Sequence, residues 1–500
     1  MGRPASIKWR PTGSDGQQHI GLSVGTGWIR GERMQVTISN EIYVHDPVPE
    51  LVRWARENLV IPNPEYSKKQ RMGLWTGNTE EVLYLYYVDG NVLALPCGTG
   101  KRIREYILRE DTKIRQDLAD NGKISFPGIV PLYDYQTLAV NEMQKAGCGI
   151  LQSPCGSGKT QMGIALAARL HRKTLWLTHT ADLLNQSYDR ARQYYPEEIL
   201  GKITAGKVQI GSHMTFATVQ TLSKLDLQKY KYTWDVVIVD ECHRVSGTPA
   251  SMKMFYRTVS SLAARYKYGL SATVHRSDGL IRSTFAVLGD VQYQVPDEAV
   301  AEKTMKVKVL ERRTGVKINR ACLDTDGTLV YSKLMEHLTW NTARDDVILE
   351  DLVKNQEHCN LILSDRLLHL QRLMAVMPAE IRKYAVMIDG KMTSKKGKAA
   401  RIQAIEDMKS GKKRFLFASF NLAKEGLDIP RLDRLYLTTP KKDYAVVTQS
   451  IGRIARVAEG KTDAICYDYV DDIQFCENQW KRRKTSYRKA GCRIVEWDGD

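Results

Sequence analysis

The stretch LQSPCGSGKTQM, Leu151 to Met162, decides how the rest of the chain is read. It follows the short apolar run Gly147 to Ile150, so a buried strand, a glycine loop, a lysine, a hydroxyl and a helix over Gln161 to Leu170 stand in sequence. In a phosphate-binding loop, glycines let successive backbone N–H groups turn toward phosphate oxygens, and the following helix begins with its positive end at the same anion. Gly156 and Gly158 supply the bends, with Pro154, Cys155 and Ser157 completing the cradle. Lys159 has the reach for the β- and γ-phosphates of ATP, and Thr160 offers a hydroxyl to Mg2+. The full GxxxxGK[ST] pattern is not met, because Ser153 stands at its first glycine, and context has to decide.

The chain carries its own control. Pro96 to Lys101 reads PCGTGK, but Arg102 follows where a Ser or Thr would hold the metal, and Ile103 to Thr112 is too charged for the helix that packs behind such a loop. This copy reads as a turn, and Arg102 to Leu118 beyond it as a helix.

Five hundred residues allow roughly three domains at about 150 each. An apolar fraction of 43% suffices for packed cores, and no window approaches the roughly 18 to 20 apolar residues a membrane span requires. Lys and Arg number 74 against 57 Asp and Glu, a net charge of +17, which favours a polyanionic partner. Nine scattered cysteines form no CxxC pair and no zinc spacing, as expected of a reducing, intracellular compartment without a structural metal. The N-terminus has no apolar core and is not a secretory signal, and MGRPAS meets the loose myristoylation template without any other membrane feature.

Residues 1–33 read as a flexible basic arm. Residues 34–127 read as a small α+β accessory domain, with strand-like MQVTISNEIYVH, a helix over Pro49 to Leu59 and a second strand VLYLYYV. Its Trp54, Tyr66, Arg71 and Trp75 are either a nucleic-acid surface or ordinary core and rim. Over 128–300 the runs GCGILQ, TLWLT, FATVQ, DVVIVD and YKYGLSA alternate with helical segments, as in a parallel sheet buried on both faces. A charged connector, 301–335, contains the strand MKVKVLE. Over 336–500 the alternation resumes with NLILS, YAVMID, RFLFAS, RLYLTT and AICYDYV. The fold class is therefore α/β, two parallel-sheet lobes in tandem behind an α+β domain, and only the first lobe has a phosphate loop.

About eighty residues past the loop, DVVIVDECH ends a strand with Asp240, Glu241, Cys242 and His243. Asp240 can hold Mg2+ through its water shell and Glu241 can take the proton from the water that attacks the γ-phosphate. LSAT, Leu270 to Thr273, ends another apolar run, and with His243 its Ser271 and Thr273 are placed to relay the nucleotide state.

GSGKT, DECH and SAT in the first lobe, with QSIGRIAR at Gln449 to Arg456 in the second, resemble the superfamily 2 helicases and translocases over about Leu132 to Val470. The resemblance implies two tandem RecA-like domains. It further implies that Gln136 in LYDYQTLAV reads adenine, and that Thr180, Thr218 and Gln220 contact a nucleic-acid strand. From SDR and ASFNLAKEGLDIP it implies that Arg366, Ser419 and Asn421 lie near that strand, while Gly426 and Asp428 face the nucleotide. Gln449, Arg453 and Arg456 complete the site; three apart on one helix, the two arginines would share a face and reach the γ-phosphate, a contact worth about 10³ to 10⁵ in turnover in related enzymes. SATVHRSDG, with Arg276, and the ending YDYVDD with its basic run are similar to XPB-type and phage UvsW-type DNA enzymes, and NPEY, GLWTG and LPCG to their amino-terminal DNA-binding module. The expectation is an ATP- and Mg2+-dependent motor on nucleic acid, on DNA rather than RNA. The rivals are an RNA-dependent ATPase and an ATP-switched loading module for a nuclease or transposition complex.

Overall fold

The computed structural model describes residues 34–154, 156–245, 249–272, 274, 279–301, 304–390, 392, 394–420, 422, 427, 429–441 and 444–496. The amino-terminal arm, Cys155, Thr273, Arg276, Asn421, Gly426 and Asp428 lie outside the described residues.

Two parallel α/β lobes follow an α+β domain. In the first lobe the strands run, across the sheet, Lys207–Val208, Leu200–Thr204, Met214–Thr218, Thr174–Thr178, Val236–Asp240, Tyr266–Ser271, Cys148–Gln152 and Val291–Gln294. All neighbours are parallel except the first pair. The central runs are buried from end to end, which is why they read as unbroken apolar segments rather than as alternation. Helix Lys159–Leu170 closes one face, burying Met162, Ile164 and Leu166.

The second lobe orders its strands Ala385–Ile388, Phe415–Ser419, Asn360–Ser364, Arg434–Leu437, Ile465–Asp472, Lys308–Lys317 and Arg493–Glu496, with every pair parallel. The expected connector, 301–335, is thereby corrected. Lys308–Lys317 is a ten-residue strand inside this sheet, held on both sides, and its Val309 is fully buried. The strand read in MKVKVLE is thus present, and the error lay in assigning it to a connector; its burial alternates because only one of its faces is apolar.

The accessory sheet runs Tyr87–Asp89, Val92–Leu95, Ile42–His45, Gln35–Ile38 and Lys113–Gln116. The helix expected over Arg102 to Leu118 is instead one short helix, Arg104–Ile107, followed by that last strand. PCGTGK is a 3-10 turn at Cys97–Thr99 that docks this domain on the first lobe. Gly98 is pressed so closely on helix Ile281–Leu288 that a Cβ would stand 2.3 Å from Gly289 N and 2.6 Å from the carbonyls of Phe285 and Ala286. Glu41, Tyr256 and Lys267 form a buried polar contact across the same boundary: the Tyr256 hydroxyl donates to Glu41 Oε1 at 2.8 Å, and Lys267 Nζ donates to Asn40 O at 3.1 Å.

Candidate nucleotide and nucleic-acid site

The loop after strand Cys148–Gln152 is fixed by its own serines. Ser153 is fully buried, its hydroxyl 2.5 Å from Ser157 Oγ and its backbone N–H donating to Ser271 O at 2.9 Å. The residue that breaks the full-length motif thus stitches the loop to the neighbouring strand. Lys159, nearly buried, donates to the carbonyls of Ser153 and Pro154, both at 3.2 Å, so its ammonium sits inside the cradle the loop makes. Gly158 has φ +80°, a conformation that favours glycine, and a Cβ there would stand 2.4 Å from Gln136 Nε2 and displace that amide.

Gln136 occupies a position its expected role did not foresee. Buried at the start of helix Asp134–Ala146, it accepts from Tyr133 N at 3.0 Å through Oε1 and donates to Ser157 O at 2.8 Å through Nε2. Tyr135 OH donates to the same carbonyl at 2.9 Å. The side-chain amide thus ties the helix to the phosphate loop. Tyr135 was missed because only the folded loop brings Ser157, far along the chain, to its hydroxyl.

Asp240 and Glu241 end strand Val236–Asp240, next but one to the loop's own strand, with Tyr266–Ser271 between. Asp240 is buried, accepts from Ser187 Oγ at 3.3 Å and takes the Glu241 N–H at 2.9 Å. Burial, and then the neighbouring Glu241 charge, push its carboxyl up to about 7 against the opposing pull of Lys159. Glu241 has φ +48°, rare for a residue with a side chain. His243 links the acidic pair to the third motif: its Nδ1 lies 2.8 Å from Ser271 Oγ and 3.4 Å from Glu241 Oε2. Ser187 carried no sequence signal, since it reaches Asp240 from a helix packed across the sheet.

This donor set fits a hard divalent cation. Buried Asp240 beside the half-buried Glu241 charge is relieved by positive charge, and half-buried Thr160 lies in the first turn of the helix that follows the phosphate loop. Among the described residues no group of three or more His, Cys, Asp and Glu is arranged to hold a metal alone. Mg2+ would therefore be shared between these few protein oxygens and the phosphates of the nucleotide.

The strand-contact candidates sit on the same sheet edge, one and two strands further over. Thr180 caps helix Ala181–Arg192, accepting Leu183 N at 3.3 Å, and Thr218 caps Val219–Leu222, accepting Thr221 N at 3.1 Å. Gln220 is exposed beside them. In the second lobe exposed Arg366 and half-buried Ser419 follow the adjacent strands Asn360–Ser364 and Phe415–Ser419. An interlobe ion pair, Arg401 to Asp182 at 3.0 Å, lies two residues from Thr180.

The arginine pair is corrected. Helix Tyr444–Ile454 carries buried Gln449, and Arg453, which donates to Leu427 O at 3.1 Å, but it ends before Arg456. Lys461 donates to the carbonyls of Ile454 and Arg456 at its end, and Arg456 enters an antiparallel bridge with Thr304. The two guanidiniums thus arise from different backbone, a helix and a bridged segment.

Fold and site together define a two-lobed P-loop ATPase. Residues 129–276 match the family described as "Type III restriction enzyme, res subunit", and residues 345–458 match "Helicase conserved C-terminal domain". A putative ATP-dependent RNA helicase, L396, of Acanthamoeba polyphaga mimivirus is 26% identical over 375 residues, 72% of this chain and 67% of its own length. The DNA 3'-5' helicase XPB of Mycobacterium tuberculosis is 29% identical over 175 residues, 33% of this chain and 30% of its own. The structure of S. cerevisiae Dbp5 bound to RNA and ADP BeF3 shares the fold, with a TM-score of 0.52 at 14% identity over 74% of this chain and 95% of that one. The chain belongs to the superfamily 2 helicases, ATP-dependent nucleic-acid helicases built on two tandem RecA-like domains. Among the described residues no helix is long and apolar enough to cross a membrane.

Proposed function

We propose that this chain is an ATP- and Mg2+-dependent helicase or translocase acting on DNA. The observation that carries the reading is one sheet edge. Lys159, Asp240, Glu241 and Ser271 lie at the ends of three neighbouring strands, and Thr180 and Thr218 follow the next two. A change at the nucleotide therefore has a path of one strand spacing to the nucleic-acid contacts, and the His243 to Ser271 hydrogen bond lies on it.

Lys159 leaves the loop carbonyls for the phosphates, and Glu241 takes the proton of the attacking water. Mg2+, when bound, neutralises charge on the β- and γ-oxygens. Arg453 and Arg456 reach the γ-phosphate from the second lobe, so hydrolysis and lobe closure are coupled. Gln136, released from Ser157, turns its amide to the adenine. The net charge of +17 gives sequence-independent grip on phosphates, with affinity falling steeply as salt rises. DNA is favoured because the XPB relatives are named DNA helicases. The mimivirus relative, named an RNA helicase, supports the rival reading of an RNA-dependent ATPase.

The deciding experiment measures ATPase stimulation by single-stranded, duplex, forked and hybrid nucleic acids, DNA against RNA, followed by displacement on the best substrate. Stimulation by RNA alone would reject the DNA assignment, and no stimulation by any nucleic acid would reject the motor.

A further inference from the structure

Beyond the end of helix Tyr444–Ile454 the segment that carries Arg456 is clamped from two sides. On one side lies the linker between the lobes: Met305 N–H donates to Ala455 O at 2.7 Å, and Thr304 makes the antiparallel bridge to Arg456. On the other side lies Lys461, which the chain brings back through a turn at Gly460, where φ is +75°. Its Nζ donates to Leu432 O at 2.7 Å, to Arg456 O at 2.8 Å and to Ile454 O. Leu432 and Ile454 are fully buried in the core of the second lobe, so two of the three carbonyls are fixed and the third belongs to the arginine segment.

An ammonium has three N–H donors and no acceptor. Three carbonyls use all of them, one each, whereas a neutral amine has two N–H groups and would leave one carbonyl without its donor. The grip therefore requires the charge. The surroundings make that charge removable: burial lowers the Lys461 pKa to about 8 against the pull of Asp433, and Arg434 and Arg456 add to the fall. Asp433 is held by His358 at 2.9 Å and Arg434 by Asp463 at 2.7 Å. Cys359, also beside the ammonium, is pushed up to about 12 by burial, so its thiol keeps its proton where Lys461 titrates.

We propose that Lys461 is a positioning residue for ATP turnover, its ammonium holding the Arg456 segment in the place from which the guanidinium meets the γ-phosphate. The inference rests on the assignment of Arg456 to that phosphate and adds what supports it. The linker and Lys461 grip the same stretch of backbone, so the arginine is set jointly by the interlobe connection and by the second-lobe core. A misplacement of about 1 Å in a positioned group can cost about 10²-fold in rate, so release of one grip is enough to slow hydrolysis without any change at the phosphate loop.

The test measures nucleic-acid-stimulated kcat and the KM for ATP in the full chain, for wild type, Lys461→Met, Arg456→Ala and the double variant, with thermal melts alongside. Lys461→Met should lower kcat about 10²-fold and leave the KM unchanged. In the double variant it should cost nothing beyond Arg456→Ala, because the side chain it positions is gone. A further loss of the same size there, which a merely structural lysine would give, or an unchanged kcat in Lys461→Met, would overturn the proposal. A second measurement needs no Lys461 variant. The ratio of wild-type to Arg456→Ala kcat cancels the other titrations on the way to hydrolysis, and it should contract about tenfold from pH 7 to 9 as a group with a pKa of about 8 gives up its proton. A constant ratio would likewise reject Lys461. Failure of the underlying assignment is visible separately, as full turnover in Arg456→Ala.

Discussion

Thr304 and Arg456 pair as an isolated antiparallel β-bridge, and Thr304 Cγ2 lies 3.7 Å from where a Cβ on Gly156 would stand. One residue between the lobes therefore stands over the phosphate loop of the first and pairs with the backbone of an arginine in the second. The bridge is made by backbone, so Arg456→Ala removes the guanidinium and leaves the segment in place. ATP turnover should fall about 10³-fold or more while nucleotide and DNA affinities are kept. Loss of DNA affinity with turnover retained would place Arg456 in the nucleic-acid groove instead.

Glu241→Gln keeps shape and removes the base. Hydrolysis in the presence of nucleic acid should drop about 10²- to 10⁴-fold, with ATP still bound. Lys159→Ala should lose binding and hydrolysis together, because its ammonium lies within the loop itself. Stimulated turnover that survives in Glu241→Gln would assign the proton transfer to another group.

Gly98→Ala separates the two glycine loops. Its Cβ would collide with Gly289 N and with two carbonyls of the first lobe, none of which can swing aside, so it should destabilise the protein by about 1 to 3 kcal/mol. Gly390→Ala, where nothing lies within 4 Å, is the control and should melt like wild type. ATPase per folded Gly98→Ala molecule should be preserved, since PCGTGK packs at the domain boundary and not in the loop that carries Lys159. Thermal melts and initial rates check both statements.

Glu41 gives the accessory domain a pH signature. Burial raises its carboxyl above the usual 4.5, against the opposing hydrogen bond from Tyr256 and charge of Lys267. A raised carboxyl binds its proton more tightly in the folded state. This contribution is thus full below 4.5 and is lost as pH rises through the folded-state value. Glu41→Gln should flatten that part of the stability–pH curve, as measured by denaturant unfolding between pH 4 and 8. An unchanged slope would mean that Glu41 keeps its charge in the folded protein.

Much of the architecture was legible locally. The runs ending in Asp240, Ser271 and Ser419 are strands at the positions where the apolar segments place them, since a strand covered on both faces announces itself without reference to its neighbours. The strand read in MKVKVLE was left in a connector because its exposed charges imitate a linker, whereas Lys308–Lys317 pairs on both sides within the second-lobe sheet. The shared helix face of Arg453 and Arg456 failed because sequence spacing assumes that the helix continues, whereas it ends at Ile454 and Lys461 satisfies the carbonyls of Ile454 and Arg456 beyond its end.

The sequence by itself determined the chemistry of this protein: a glycine loop with lysine and hydroxyl, an acidic pair at a strand end, and the alternation that makes two parallel lobes. These are short-range patterns, each set by residues a few positions apart. Tertiary structure alone decided that Gln136 clamps Ser157, that Ser187 reaches Asp240, that Thr304 joins Gly156 to Arg456, and that Lys461 ties Leu432 to Arg456. Those contacts join residues distant in the chain, and which of many apolar or polar groups meet is settled only when the whole core is buried at once.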